Sequence, residues 1–318
     1  MKDLRLAVVG VGHLGRHHAR VASSLAGFRV VGVHDHHPGR AAEVAGEFSL
    51  PVLAGLDEVA RDAEAVVVAT PTVSHADVSR FFLDRGLHVL VEKPITASLA
   101  EADDLVARAR KAGRVLQVGH VERYNPAIEA ALSLVASPGF IEVHRLGPFT
   151  ARSLDVDVVL DLMIHDLQIV SAFVGRPVRE IRAAGVPVLT PKLDIANARL
   201  EFEGGCVANL TASRVSAEKV RKCRIFAPSI YVSIDMQAQS VSAVRLVREG
   251  GGAEMHPVPV PVSREEPLAR ELADFRRSVV DGTRPLVSGQ DGRDALALAE
   301  RVVAAVESHR AALEEAPV

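Results

Sequence analysis

Five short apolar runs, rich in β-branched residues, alternate with amphipathic stretches over the first 120 residues, and no other feature restricts the fold of this chain so strongly. The runs are Leu6–Val9, Val30–Val33, Ala65–Ala69, Val89–Val91 and Val115–Val118; His13–Leu25, Arg40–Phe48, Ala76–Arg85 and Ser98–Lys111 carry helical spacing between them. Runs that are apolar on both faces belong to a parallel sheet, because crossover helices cover both of its sides. In such a sheet the loops at the carboxyl ends of the strands form the ligand crevice. Gly10, Asp35, Thr70, Glu92 and Gly119 fall in those loops.

The pattern changes near Gly119. A helix is expected after Asn125-Pro126 and another over Asp157–Val174. Strand-like runs follow at Ile181–Val186, Ile195–Phe202, Val207–Thr211, Val220–Phe226 and Val241–Val247, and helices at Pro267–Val280 and Gly292–Leu313. Gly250-Gly251-Gly252 and Pro257–Pro261 read as loops. The fold class is therefore α/β: an N-terminal Rossmann domain with a doubly wound parallel sheet over residues 1–120, then an α+β domain over 121–318 with a large, mostly antiparallel sheet. The length of 318 residues suits two domains.

The net charge of −3 is spread among interspersed residues with no basic stripe, which excludes a nucleic-acid backbone binder. Cys206 and Cys223 have no C-x-x-C spacing, so neither a cysteine metal site nor a redox pair is expected. The first apolar run is too short for a signal peptide and no later run spans a bilayer, so the expectation is a cytoplasmic protein without a membrane partner.

Gly10-Val11-Gly12-His13-Leu14-Gly15 follows a strand and opens a helix. Its three glycines serve a tight turn, close approach of the backbone to a pyrophosphate, and close helix–strand packing, and the helix N-terminus offers free N–H groups to phosphates. His13 and Leu14 lie inside this loop. Asp35, twenty positions beyond Gly15, ends the second strand. A carboxylate there either accepts from the ribose hydroxyls of NAD and repels a 2′-phosphate, or serves as a turn residue before Pro38-Gly39. His36 and Arg40 leave NADP open. Most of the remaining histidines of this region, His17, His18, His34 and His37, are read as structural or solvent-facing, and no metal site is expected, since adjacent histidines on a helix face different ways and no acidic or cysteine partner sits at ligand spacing.

Lys93 stands in Glu92-Lys93-Pro94 at the end of the fourth strand, where a lysine can hydrogen-bond a substrate hydroxyl and stabilise developing alkoxide charge; the alternative is a surface ion pair. Pro94 keeps Lys93 out of helical geometry. Asp161 and His165 lie four apart in an apolar helix and so share a face. Neutral imidazole suits a general base, and Asp161 can orient it or bind substrate; the alternative is a pair that faces water. Asn125 either touches the nicotinamide ribose or caps the following helix.

Together these segments resemble the Gfo/Idh/MocA oxidoreductase family. The resemblance rests on the glycine loop, Ala69-Thr70-Pro71-Thr72 with His75, Glu92-Lys93-Pro94, Asp161 with His165, and Arg284–Gly292. It implies an NAD(P)-dependent dehydrogenase acting on a sugar or polyol. Thr70, Pro71 and His75 would line the nicotinamide side, Lys93 and His165 would flank the reacting carbinol, and Asp161 would support both. It also implies a homodimer or homotetramer. Met163, where the family often has Gly, and Gln168, where it often has an acid, depart from the pattern. Gly119–Pro126 and Asp157–Asp166 are similar to members that oxidise UDP-N-acetylglucosamine at its 3-hydroxyl, which implies that Arg123 and Arg152 meet a diphosphate and that Tyr124 stacks on a ring. Polyol or inositol oxidation, or reduction of an enone or imine, are alternatives within the family; a non-catalytic NAD(H)-sensing protein is the alternative outside it.

Overall fold

The structure, a computed structural model, describes residues 3–150, 156–249 and 252–315. Residues cluster into two units: Met1–Val121 with Glu266–Leu296, and Glu122–Glu265 with Ala297–Val318.

The first unit begins β1 (Leu4–Val9), α1 (His13–Ser24), β2 (Phe28–His34), α2 (Pro38–Phe48), α3 (Leu56–Asp62), β3 (Ala65–Val68), α4 (His75–Asp84), β4 (His88–Glu92), α5 (Leu99–Ala112) and β5 (Leu116–Gly119). Its five strands lie in the order β2-β1-β3-β4-β5, every pairing parallel. Every residue of β3 is buried, as expected of a strand covered on both faces. Local chemistry sets the helix ends. Ser98 and Glu101 form a reciprocal capping box at the start of α5, and Gly113 stops that helix in the left-handed region.

The second unit holds α6 (Pro126–Leu132), β6 (Phe140–Leu146), a π-helical turn (Val159–Met163), α7 (Ile164–Val174), β7 (Val178–Val186), β8 (Ile195–Phe202), β9 (Val207–Ser213), β10 (Val220–Ala227), β11 (Ile230–Asp235), β12 (Ser240–Glu249) and β13 (Gly252–Val258). The eight strands run in the order β13-β12-β11-β10-β6-β9-β8-β7. All pairings are antiparallel except β6 with β9. Alternate residues such as Ile141, Val143, Leu200, Leu210, Ile225 and Val232 are buried, and α7 lies against β6 and β9.

Three strands differ from the sequence expectation, among them β11, whose run Ile230–Asp235 was not read as a strand. The segment Gly252–Val258, read in part as loop, pairs with β12 as β13. β6 was not expected, because one of its inward positions is Arg145 rather than an apolar residue. The chain ends with α8 (Pro267–Asp281) and α9 (Gly289–Glu315). In the first unit, Leu272 and Phe275 of α8 join Leu6, Val8, Val67 and Leu90 in one core, and Val287, just before α9, accepts from the amide of Val118 at 3.0 Å. Among the described residues no helix is long and apolar enough to cross a membrane, and both cysteines are free and buried.

Candidate active site

Steric demands explain two glycines of the loop between β1 and α1, and a third is left open. Gly10 has φ +81°, and a Cβ there would lie 2.6 Å from the amide nitrogen of Thr70. A Cβ on Gly15 would fall 1.8 Å from the carbonyl oxygen of Gly10. A Cβ on Gly12 would meet no protein atom within 4 Å. Packing therefore requires the first and third glycines, whereas an approaching ligand is what a side chain at the second would crowd; this fits a dinucleotide at the loop. Gly12, His13 and Leu14 are exposed, and the His13 ring packs edge-on against His17 at 5.0 Å.

Asp35 shapes this loop. Its carboxylate accepts from the Val11 amide at 2.8 Å and from the His37 amide at 2.9 Å, which leaves lone pairs for further donors. Arg40 donates to the carbonyls of Val11 at 2.8 Å and Gly12 at 3.2 Å and pairs with Glu43 at 2.8 Å. Its guanidinium is thus committed to the loop backbone. His36 is exposed, against the ring of His37.

The loops after β3 and β4 are joined by His75. Its buried ring places Nδ1 2.9 Å from the carbonyl of Pro94 and Nε2 2.9 Å from that of Thr70. Burial lowers its pKa, opposed by both carbonyls. Pro71 is exposed and Thr70 half-buried. Lys93 is half-buried beside a cis Lys93–Pro94 peptide. Glu92 is not a surface partner for it: the carboxylate is buried, bound to His18 Nε2 at 2.8 Å, and accepts the Lys93 amide at 3.2 Å. His120, after β5, is also buried. Burial, then the positive charge of Lys93, lowers its pKa to about 4, so it is neutral at physiological pH. His18, read from the sequence as structural or solvent-facing, is buried, and Glu92 supplies an acidic partner from a distant point in the chain.

In the second unit Asp161 lies in the π-helical turn and His165 in the first turn of α7; both are half-buried while Met163, Ile164 and Asp166 are buried. π-turns inside helices occur frequently at functional sites. Asp157 starts the segment by accepting the amides of Val159 and Leu160 at 3.0 and 3.1 Å. Met163 is fully buried core, and Gln168 is also buried. Asn125 takes the capping role: its Oδ1 accepts the Ala127 amide at 3.0 Å and its Nδ2 donates to the Met236 carbonyl at 2.8 Å. Tyr124 is buried and Arg123 half-buried. Arg152 lies outside the described residues.

Sequence reasoning missed the ion network beside these residues. Arg145 of β6, 2% exposed, donates through Nε and Nη2 to Asp166 at 2.8–3.0 Å and through Nη1 to Glu122 at 2.8 Å; Arg221 donates to the same Glu122 at 2.7 Å. Burial pushes the Asp166 carboxyl upward and Arg145 pulls against it, whereas for Glu122 the two arginines outweigh burial. The fork of hydrogen bonds onto Asp166 is satisfied by the ionised pair. Asp166 is next to His165 and Glu122 next to Arg123, so the network fixes the backbone that carries both. Arg145→Met should destabilise the protein by about 3–5 kcal/mol, because Asp166 loses its buried partner; in denaturant titration, a loss below about 1 kcal/mol would contradict this account.

Comparison with known proteins agrees with these features. Residues 4–120 match the model described as the oxidoreductase family with NAD-binding Rossmann fold, and residues 138–228 match the GFO/IDH/MocA C-terminal domain. The chain is 36% identical over 315 residues to UDP-N-acetylglucosamine 3-dehydrogenase of Acidithiobacillus ferrooxidans, covering 97% of this chain and 99% of that protein; a crystal form of that enzyme superposes with a TM-score of 0.89. It is 29% identical over 233 residues to scyllo-inositol 2-dehydrogenase (NAD(+)) of Bacillus subtilis, covering 67% of this chain and 68% of that protein. The aldose-aldose oxidoreductase of Caulobacter crescentus, at 19% identity and TM-score 0.84 over 97% of this chain and 98% of that one, shares the fold. With a loop built for a dinucleotide, two matching domain models and a relative similar from end to end, this chain belongs to the NAD-binding Gfo/Idh/MocA oxidoreductases.

Proposed function

We propose that the chain oxidises the 3-hydroxyl of UDP-N-acetylglucosamine, or of a closely similar nucleotide sugar, with NAD as hydride acceptor. The observation that carries this reading is the 36% identity to a UDP-N-acetylglucosamine 3-dehydrogenase across 97% of the chain and 99% of that enzyme; an inositol 2-dehydrogenase that matches over 96% of the chain is only 25% identical, and the scyllo-inositol enzyme matches over two thirds.

Residues 1–120, with Glu266–Leu296 packed in the same unit, serve as the cofactor domain, and the rest of 121–318 as the substrate and oligomerisation domain. The loop Gly10–Gly15, with Asp35, Thr70, Pro71 and His75, holds the dinucleotide. Bound NAD supplies a carbon that accepts hydride. The ammonium of Lys93 hydrogen-bonds the reacting hydroxyl and stabilises the alkoxide character that develops on its oxygen. His165 takes the hydroxyl proton as general base, and Asp161 binds substrate and supports the imidazole. Arg123 and Arg152 meet the diphosphate, since guanidinium matches phosphate oxygens. Asp35 at the ribose end and the commitment of Arg40 to the loop carbonyls favour NAD over NADP.

The protein acts in the cytoplasm as a homodimer or homotetramer. The outward face of the second unit's sheet supports self-association: Phe226, 40% exposed, packs against Phe140 at 5.7 Å and Tyr231 at 5.0 Å.

The test is an absorbance assay for NADH with UDP-N-acetylglucosamine, free sugars and inositols, each with NAD and with NADP. The proposal expects turnover with the nucleotide sugar and NAD; silence with every nucleotide sugar contradicts it. Gly12→Ala should change stability by no more than about 1 kcal/mol, the scale of an N-cap change, yet weaken NAD binding at least about tenfold, equivalent to about 1.4 kcal/mol. Calorimetric titration reads the binding, and an unchanged Kd would show that the loop does not approach the cofactor.

A further inference from the structure

Glu271, on α8, is 0% exposed, and among the described residues neither of its carboxyl oxygens has a hydrogen-bond partner. An isolated carboxylate in such a place is costly. It is not alone: a Glu271 oxygen, a Glu92 oxygen and a His18 ring nitrogen all lie within 4.8 Å of one another, and all three residues are buried. The groups come from three elements of the first unit, α8, the end of β4, and α1.

Two kinds of occupant would relieve this cluster, a metal ion or a proton. Ligands held at about 2.0–2.1 Å around a tetrahedral zinc sit roughly 3.3 Å apart. His18 Nε2 and Glu92 Oε1 are 2.8 Å apart, the separation of a hydrogen bond already made between them. The charges that face the cluster favour the proton. Lys93 adds one positive charge beside Glu92. His120, facing from the end of β5, is kept neutral by burial. Asp274, one turn along α8, adds a negative charge and is paired with Arg277. Gln117 of β5 donates to the backbone carbonyl of Glu271 at 3.1 Å and leaves its carboxyl unneutralised.

We propose that Glu271 carries a proton at neutral pH, so that His18, Glu92 and Glu271 form a buried proton-binding site with one carboxylate charge, on Glu92. Burial, then the charges of Glu92 and Asp274, push the Glu271 carboxyl well above the usual carboxylate range. Burial also opposes ionisation of Glu92, but its hydrogen bond with the His18 ring and the charge of Lys93 outweigh it. The two carboxyls are thus driven apart, as expected when close acids share a dry site. If Lys93 has the role proposed above, the site also positions it: Glu92 accepts the Lys93 amide, and ionising Glu271 places a second like charge against that anchor.

The folded-state pKa of Glu271 is raised, so its contribution to stability is complete below the ordinary carboxylate pKa and is lost as pH rises towards and through the folded value. The test uses the intact protein and its Glu271→Gln and Glu271→Met variants. The infrared spectrum at neutral pH should contain the carbonyl stretch of a protonated carboxylic acid that both variants lack; identical spectra would overturn the proposal. The melting temperature of wild type should fall relative to both variants as pH rises from about 5 to about 9, and a gap constant over that range would overturn it. One equivalent of metal, found by elemental analysis in wild type and absent from Glu271→Gln, would overturn it in favour of a metal site. None of these readouts depends on turnover, so they stand or fall apart from the assigned reaction. Where turnover is measured, wild-type kcat should decline on the alkaline side relative to Glu271→Gln; a constant ratio would break the link to Lys93.

Discussion

Replacing His165 with alanine lowers kcat by roughly 10²–10⁴-fold, the usual contribution of a positioned acid–base group, while the Kd for NAD stays within about threefold. The expectation rests on where the imidazole stands. It is half-buried on the first turn of α7, one residue before an aspartate held by Arg145. Removing the ring leaves that network intact, so the variant should fold and bind cofactor normally. Imidazole added to the buffer should restore part of the lost rate, a response a merely structural histidine would not give. Turnover within about threefold of wild type would remove His165 from the reaction.

Lys93→Ala has the second large effect, a drop of about 10²–10³-fold in kcat, the scale seen when one donor to a developing oxyanion is removed. Lys93 stands at the carboxyl end of β4, where open α/β sheets bind their ligands, with its amide tied to Glu92. The same substitution carries a readout independent of turnover. Lys93 is the second cause, after burial, of the lowered pKa of His120, from which that pKa sits at about 4. Without the ammonium, the His120 pKa should rise, as followed by NMR titration. Unchanged kcat in Lys93→Ala would remove the alkoxide role, and an unmoved His120 would place the ammonium elsewhere.

The legible parts of the chain are those in which local physics and tertiary structure agree. β1 to β5 are readable because strands buried on both faces must be continuously apolar, and the glycine loop because its turn and its contact with Ala69-Thr70 tolerate no side chain at Gly10. β6 was hidden by Arg145: an inward arginine breaks the period-two pattern, and only Asp166 and Glu122, remote in sequence, make it tolerable. β13 was hidden by glycines and prolines that commonly mark loops. The partnership of His18 with Glu92 spans 74 residues, so adjacency to His17 was misleading. Glu271 lies among the ordinary charged residues of α8, and no local pattern reports that its position faces the interior or that Glu266–Leu296 packs with the first unit. The π-turn that carries Asp161 likewise has no signature in its apolar sequence.

The most direct test of the central claim is the fate of one hydrogen. UDP-N-acetylglucosamine carrying deuterium at C3 is incubated with the protein and NAD, and the reduced cofactor is analysed by mass spectrometry and NMR. The account predicts NADH with one deuterium at the nicotinamide C4 and a 3-keto nucleotide sugar in equal amount. Unlabelled NADH, or no reduction of NAD, would contradict it.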